Sequence, residues 1–362
     1  MNGGPLAFLD IGQTHVRAAA AHGGRILAAS EAPNAGNEAA AVNAAIAQIE
    51  SKIDERLSDA IVIVSGHVRS RAAKAQTDFR RTRTVTEEDI IKTIRKAPTG
   101  ELDSESLLHV IPLKYSAHPG DIDGGVAALV HIVSMPSDER ERIHALIRKC
   151  NLNPVRLVSS AYAEGAGRAI KDGAIADIGA GGMRVGLFAK GKFVSGFCTG
   201  LGGDAVTNFI AQKLGIGTAE AEALKLKYGA RAPQGFDFSA QIALATPDGG
   251  ERIVPKSEIL QASNLAMSAI AHKMRERIEQ MEDGALAGLL CDIIITGGGA
   301  LIGGGAKILG GRPEAQRKLE GAVRLYSKRT GTGAETAAPR HMTRAAAGVK
   351  KIIAYVRRSG VK

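Results

Sequence analysis

Short apolar runs that end in glycine recur along the 362 residues, and two of them share one grammar. Leu6-Ala-Phe-Leu-Asp-Ile-Gly-Gln-Thr-His-Val-Arg-Ala18 runs strand, Asp-Ile-Gly, polar turn, strand. Ile175-Ala-Asp-Ile-Gly-Ala-Gly-Gly-Met-Arg-Val-Gly-Leu-Phe188 repeats the order around Asp177. Each predicts a β-hairpin with a tight, bare-backbone turn, and two such hairpins at Asp10 and Asp177 suggest a duplicated domain. A third run, Cys291-Asp-Ile-Ile-Ile-Thr296, ends in Gly297-Gly298-Gly299.

Between these marks the pattern predicts ordinary α/β elements. Ile26 to Ala32 reads as a strand, and Asn37 to Leu57 as an Ala-rich helix with Val42, Ile46, Ile49 and Ile53 at helical spacing. Ala60-Ile-Val-Ile-Val-Ser-Gly66 is a continuous apolar run, expected to be central in the first sheet. Arg69 to Arg83 is basic and barely periodic, an exposed strand or loop whose charge is either solvated surface or a contact for an acidic partner. Thr86-Glu-Glu-Asp opens a helix, because Thr86 can cap it and the acids sit at the positive end of its dipole. Ile90, Ile91 and Ile94 would be its buried side. Leu107 to Tyr115 and Val126 to Val133 read as strands, and Asp138 to Cys150 as a helix with Ile143, Leu146 and Ile147 inward. His109 and His131 lie on these strands without a second Cys/His pair at ligand spacing, so both are read as structural. Phe236 to Met281 contains Lys256-Ser-Glu-Ile259 leading into a long amphipathic helix.

Length and composition suit two soluble domains with a sizeable core each, at 44 % hydrophobic residues and no apolar run of membrane-spanning length. The expected location is cytoplasmic. Cys150, Cys198 and Cys291 are few, odd in number and far apart, so neither a disulfide framework nor a zinc site is indicated and buried thiols are expected. The net charge of +10, from 47 basic and 37 acidic residues, favours acidic partners without choosing one. With 4 % aromatics and no Trp, base stacking on single-stranded nucleic acid is poorly served, and no nucleic-acid partner is expected.

Chemistry enters through the glycines. With no Cβ, Gly179, Gly181 and Gly182 can aim backbone N–H groups at a phosphate, while Asp177 at the strand end can hold a cation through water. Two such hairpins followed late in the chain by a strand ending in Gly-Gly is the order of the actin, Hsp70 and sugar-kinase superfamily, which this chain resembles. Ile63-Val-Ser-Gly66, Val85-Thr-Glu-Glu-Asp-Ile90, Leu108-His-Val-Ile-Pro112 and Val130-His-Ile-Val133 are similar to FtsA, the actin-like bacterial cell-division family, around its inserted subdomain 1C.

That resemblance implies an α/β, actin-like fold of two lobes, each a mixed β-sheet flanked by helices. It implies subdomain 1A over residues 1–80, 1C over 81–154, a return to 1A over 155–175, 2A over 176–210, 2B over 211–285, 2A again over 286–338, and a C-terminal helix over 339–362 returning to 1A. It also implies ATP with Mg2+. Asp10, Gly12, Gln13 and Thr14 would form the first phosphate loop, and Gly179, Ala180, Gly181 and Gly182 the second. Asp10 and Asp177 would face the metal's water shell. Gly200-Leu-Gly-Gly-Asp-Ala-Val-Thr-Asn208 resembles the segment that starts a helix beside the nucleotide, which makes Gly202 and Gly203 candidates. Ala219-Glu-Ala-Glu-Ala-Leu-Lys-Leu-Lys-Tyr-Gly229 looks like the helix whose Glu222 and Lys225 reach the adenine and ribose edge; a plain surface ion pair is the other reading. Gly297, Gly298 and Gly299 would let the base pack on backbone.

Three departures qualify the resemblance. Gly182, Met183 and Arg184 stand where FtsA-like second loops carry a Thr hydroxyl and then an acid, and Arg184 is a candidate for direct phosphate contact. Val158 and Ser159 stand, in the expected connecting helix Leu157 to Gly165, where bacterial actins usually show Glu-Pro. A Val cannot orient an attacking water, and loss of a general base costs about 10²-fold or more. Glu164 is a doubtful replacement, so no catalytic residue is assigned and hydrolysis is expected to be weak or absent. Last, Pro339 to Gly348 looks like the final core segment, followed by an apolar stripe of Val349, Ile352, Ile353 and Val356 flanked by Lys350, Lys351, Arg357 and Arg358. A final core helix is preferred there over a membrane-surface helix; the expectation is that the usual linker and anchor lie outside this sequence or that a partner recruits the protein to the inner face of the membrane.

The implied function is an ATP-binding, polymerising FtsA-like protein that links FtsZ-type filaments to the division machinery, taking the FtsZ C-terminal peptide on 2B and divisome membrane proteins on 1C. A PilM-like scaffold for pilus or other organelle assembly is the first alternative, since that relative also carries a 1C-type insert. A small-molecule kinase is the second; it would need a carboxylate base facing its acceptor, for which the sequence offers no convincing candidate.

Overall fold

The computed structural model describes residues 4–66, 68–98, 105–281 and 293–330. The chain divides into two compact units. Among the described residues, the first holds those up to Asp172, Gly186–Cys198 and those from Arg317 on; the second holds Gly173–Val185 and those between Thr199 and Gln316.

The first unit begins with β1 (Leu6–Ile11), β2 (His15–His22), β3 (Arg25–Pro33), α1 (Glu38–Ile53) and β4 (Asp59–Val64). Then come β5 (Arg69–Thr84), α2 (Glu87–Arg95), β6 (Glu105–Tyr115), β7 (Ile122–Pro136), α3 (Ser137–Lys149), β8 (Asn153–Ser159) and α4 (Ser160–Arg168). Its main sheet has the order β3-β2-β1-β4-β8, antiparallel across β3, β2 and β1 and parallel across β1, β4 and β8. The expected central strand β4 is therefore interior, with β1 at the middle.

Period-2 alternation divides this sheet cleanly between two cores. Ala7, Leu9, Ala18, Ala20, Ala60, Val62 and Val64 face one side with Val42, Ala45 and Ile49 of α1. Phe8, Ala19, Ala21, Ile61 and Ile63 face the other. Ile143 and Ile147 of α3 join the α1 side, so this helix is part of the main core. Asn37 caps α1, its side chain accepting from the Ala40 N–H at 3.0 Å.

The basic stretch is an edge strand. β5 pairs antiparallel with β7, which pairs on its other side with β6. α2 covers this three-stranded sheet, burying Ile90 and Ile94 against Ala73, Val126, Val130 and Ile132, while Ile91 is half-buried. Thr86 and Asp89 form a reciprocal capping box at its start. His109 and His131 are both buried, His109 accepting from the Ser159 N–H at 3.0 Å and His131 lying edge-on to Phe193.

In the second unit β9 (Gly173–Ile178) leads through a glycine turn into β10 (Met183–Ala189), whose neighbour β11 (Lys192–Thr199) follows. Residues 186–198 of this hairpin count with the first unit. Next are α5 (Gly203–Leu214), α6 (Thr218–Tyr228), the hairpin β12 (Gln241–Ala245) and β13 (Glu251–Pro255), and α7 (Lys256–Met281). β14 (Ile293–Thr296), a 3-10 turn over Gly298–Leu301, α8 (Gly305–Ile308) and β15 (Arg312–Pro313) complete it. β14 runs parallel between β9 and β15.

The chain then re-enters the first unit in α9 (Lys318–Thr330), an element the hydrophobic pattern had not announced. Ala322 and Val323 of α9 close the core on the Phe8 side. Cys150 is buried, whereas Cys198 is only half-buried, with Sγ 3.3 Å from the Gly66 carbonyl oxygen. Cys291 and the stretch 339–362, with its apolar stripe, lie outside the described residues. Among the described residues no helix is long and apolar enough to cross a membrane.

Candidate functional site

In the first unit the turn between β1 and β2 is tied by the Gly12 N–H, which donates to the His15 carbonyl at 2.9 Å. Asn34 braces it twice: its N–H donates to the Thr14 carbonyl at 2.7 Å and its Nδ2 to the Gly12 carbonyl at 2.8 Å. Gln13 and Thr14 are exposed at the tip. Asp10, at the end of β1, is only 3 % exposed. Its Oδ2 accepts from Lys318 Nζ at 3.2 Å, and its Oδ1 lies 3.5 Å from Ser65 Oγ. Lys318 is itself buried, at 5 % exposure.

In the second unit Asp177 ends β9 in register with Thr296 of β14, which brings the second Asp-Ile-Gly turn and the late glycine triplet side by side. A Cβ on Gly297, whose φ is +82°, would lie 2.5 Å from Asp177 Oδ1, and one on Gly299 would lie 2.5 Å from Ile178 Cγ2. Both glycines are thus required by close approach, whereas Gly298 faces open space. Asp177 is also buried; Oδ1 accepts from Gln316 Nε2 at 3.1 Å, and Arg184 Nη1 lies 3.5 Å from Oδ2.

The loop Gly179–Gly182 is closed by the Gly179 N–H donating to the Gly182 carbonyl at 2.9 Å. The start of α5 is fastened to it: the Gly203 N–H donates to the Gly179 carbonyl and the Asp204 N–H to the Ala180 carbonyl, each at 2.9 Å. Any Cβ on Gly202 would overlap Gly179, Ala180 and Gly182 at once. Gly202 and Gly203 therefore form the seat of the second loop.

Lys225 and Glu222 do meet, with Nζ to Oε2 at 2.6 Å, but not as an exposed pair. Lys225 is buried and also donates to the Gly203 carbonyl at 3.1 Å and to Thr207 Oγ1 at 2.9 Å, so each ammonium hydrogen has an acceptor. Thr207 in turn donates to Glu222. Here Lys225 ties α6 to the first turn of α5, and Glu222, with its side chain 42 % exposed, is the member that faces outward.

The site departs from the sequence expectations in two further ways. Leu157 to Ser159 belong to β8, and α4 begins only at Ser160, so Val158 and Ser159 are not helical. Glu164 on α4 is fully buried, paired with Arg168 and accepting from the Arg317 N–H at 3.1 Å, which engages it as a structural anchor. Lys318, Asn34, Thr207 and Gln316 escaped sequence reasoning. Thr207 lies inside the glycine-rich segment Gly200 to Asn208 but carried no role there; the other three lie in no glycine-rich or periodic stretch that would have marked them.

A hydrated divalent cation needs carboxylates with negative charge to offer. Asp10 and Asp177 each already face a cationic side chain, and among the described residues no group of three or more His, Cys, Asp or Glu could hold a metal ion. These residues do not fit Mg2+ as the resemblance implies.

Comparison with known proteins finds similarity to one family. The model of cell division protein FtsA matches residues 174–348, which include the second loop, its seat and the late glycine triplet. The cell division protein FtsA of Rhizobium meliloti (strain 1021) is 25 % identical over 252 residues, 64 % of this chain and 54 % of that relative. Over that segment the chain is similar to FtsA. It spans about half the length of that FtsA relative. Among solved structures, the PilM-PilN type IV pilus biogenesis complex aligns at a TM-score of 0.58 with 16 % identity, covering 92 % of this chain and 99 % of that one. MreB 5 of Spiroplasma citri bound to AMPPNP aligns at 0.55, also at 16 % identity, over 92 % and 98 % of the two chains. At these identities the structures establish the actin-like fold.

Proposed function

We propose that this FtsA-like chain binds ATP, assembles with copies of itself, and links FtsZ-type filaments to the cell-division machinery at the inner face of the membrane. The observation that carries the reading is the second loop: four residues, Gly179 to Gly182, closed on themselves and held against the start of a helix by a glycine that admits no side chain. A bare backbone turn beside a helix N-terminus is suited to a phosphate. The FtsA match over this segment and the AMPPNP in the MreB 5 neighbour support ATP as the ligand.

Nucleotide acts here as a structural ligand that shifts a conformational equilibrium and with it assembly. Weak or absent hydrolysis is the corollary, because Glu164 is engaged by Arg168 and Arg317 and no other general base is assigned. The FtsZ-type peptide is assigned to residues 211–285, which include the hairpin β12–β13 and α7, and divisome membrane proteins to residues 81–154.

Titration of the purified chain with ATP and ADP, read by calorimetry and thermal shift, tests the nucleotide; no heat and no shift would end the proposal. Electron microscopy with nucleotide tests assembly, with an expected subunit repeat of roughly 50 Å for a subunit of this mass. Pull-down on an acidic FtsZ tail peptide tests the partner. Absence of binding there, with nucleotide binding intact, would leave an actin-like scaffold of another assembly.

A further inference from the structure

The longest of the described strands is open along one side. β5 spans 16 residues, against about 3–10 for an ordinary strand, and it is an edge of the sheet β5-β7-β6. Among the described residues no other strand pairs with it. Near its start Ser70 Oγ donates to the Gly196 carbonyl at 2.9 Å and accepts from the Gly196 N–H at 3.2 Å, so the open edge begins after Ser70. The ladder with β7 runs without a break from Arg69 to Asp78 and bulges only between Asp78 and Arg83. Every second residue of that ladder turns its N–H and C=O away from β7.

An open edge is a template for one more strand, and chains guard such edges with proline, bulges or charge. β5 has no proline and bulges late, so its guard is charge of one sign: six basic residues against one acid, Asp78, which accepts from Gln76 at 2.7 Å. Arg83 is taken up by Asp89 at 2.7 Å, and Arg71 Nη2 donates to the Pro98 carbonyl at 2.5 Å. Lys74, Arg80 and Arg81 are exposed and have no acidic partner among the described residues. Like charges set across a ladder repel and opposite charges attract. The edge therefore rejects a second β5 and favours an acidic strand. An anionic lipid surface would meet the same cations but leave the outward backbone groups unpaired; an extended peptide satisfies both.

We propose that the edge of β5 from Arg71 to Arg81 takes an acidic segment of a partner protein as an added strand, with Lys74, Arg80 and Arg81 facing its carboxylates. At about 3.3 Å per residue this edge seats about ten residues of the partner. The inference rests on the assignment of membrane-protein partners to residues 81–154 and deepens it, naming the strand they extend and the charge they bring.

The test is fluorescence anisotropy of the full chain with a labelled twelve-residue peptide that alternates glutamate and threonine. Beside it stand a lysine–threonine peptide, the glutamate peptide N-methylated at four consecutive central amides, and phosphatidylglycerol vesicles. The glutamate peptide is expected to bind about tenfold or more tightly than either other peptide, and Lys74→Glu/Arg80→Glu/Arg81→Glu to weaken it by about tenfold or more. Circular dichroism checks that variant's folding, and the peptide comparison needs no variant. Equal binding by the parent and the folded triple variant would overturn the inference. So would equal binding of the N-methylated peptide, which would leave charge without an added strand, and so would binding to vesicles alone or to no probe. The cytoplasmic segments of divisome membrane proteins keep the two readings apart. If they bind the parent and the triple variant alike, the β5 inference falls and the assignment to residues 81–154 stands; if none binds the parent, that assignment falls.

Discussion

Gly321 on α9 sits directly against the carbonyl oxygen of Ala163 on α4, at a distance that leaves no room for a methyl group. The same crossing recurs one turn away, where a Cβ on Gly167 of α4 would overlap the Arg317 carbonyl. Two helices that meet backbone to backbone bring Ala322 and Val323 down onto Phe8, Ile61 and Ile63. Gly321→Ala should therefore lift α9 off its seat and cost about 1–3 kcal/mol as an overpacking change. Urea unfolding of the variant checks it. Gly298→Ala, a change into open space, serves as the control and should stay within about 0.5 kcal/mol of the parent.

Lys225 offers a second contrast. Removing its ammonium in Lys225→Met leaves the Gly203 carbonyl and Thr207 without that donor, with an expected loss of about 1–3 kcal/mol. Glu222→Gln acts on a half-exposed group and should cost well under about 1 kcal/mol. If Lys225 were instead a direct base-contacting residue, the methionine variant would lose nucleotide affinity with its stability unchanged. Paired denaturation and calorimetry distinguish the outcomes.

Acid should weaken the first unit through its buried histidines. Burial, reinforced by Arg156 and His131, pushes His109 down to about 3, and burial alone pushes His131 down to about 4. The unfolded chain takes up protons below about pH 6.5 that the folded chain refuses, so stability is full above that pH and falls as pH drops. The expected slope is about 1.4 kcal/mol per pH unit for each histidine, continuing to about pH 4 for His131 and about pH 3 for His109. Urea midpoints measured between about pH 7 and about pH 5 read this slope, and His131→Leu should remove roughly one proton from it.

The capping box of α2 gives a local prediction. Thr86 Oγ1 accepts from the Asp89 N–H at 3.2 Å while Asp89 accepts from the Thr86 N–H at 2.9 Å, and Arg83 forks the same carboxylate. Thr86→Ala should cost about 1 kcal/mol. Hydrogen exchange should show the loss as faster exchange confined to α2 and the strands it covers.

The parts of this fold that were legible in the sequence are those a local rule controls. Both Asp-Ile-Gly hairpins, the Asn37 and Thr86 caps and the buried run of β4 follow from turn chemistry, capping and alternation, and each is where the pattern put it. Of the site, the second loop and the start of the helix after Gly202 were legible because clustered glycines mark both. What eluded the sequence depends on distant encounters. Lys318 reaches Asp10 across 308 positions, and Gln316 reaches Asp177 across 139. Lys225 carries the right spacing from Glu222, yet spacing along a helix does not reveal that α5 lies over it and turns a surface pair into a buried tie. Likewise Val158 and Ser159 read as helix, but parallel pairing with Ile63 and Val64 draws them into β8.

The run of alanines in β2 has a mechanical consequence. Ala18 and Ala20 press on the α1 layer while Ala19 and Ala21 press on the α9 layer, and none of the four is wetted beyond 4 %. At that strand the wall between two helical layers is one methyl thick on either side. The spacing of those layers is set there by backbone more than by side chains, so the first unit has a gauge that larger residues in β2 would widen on both faces together.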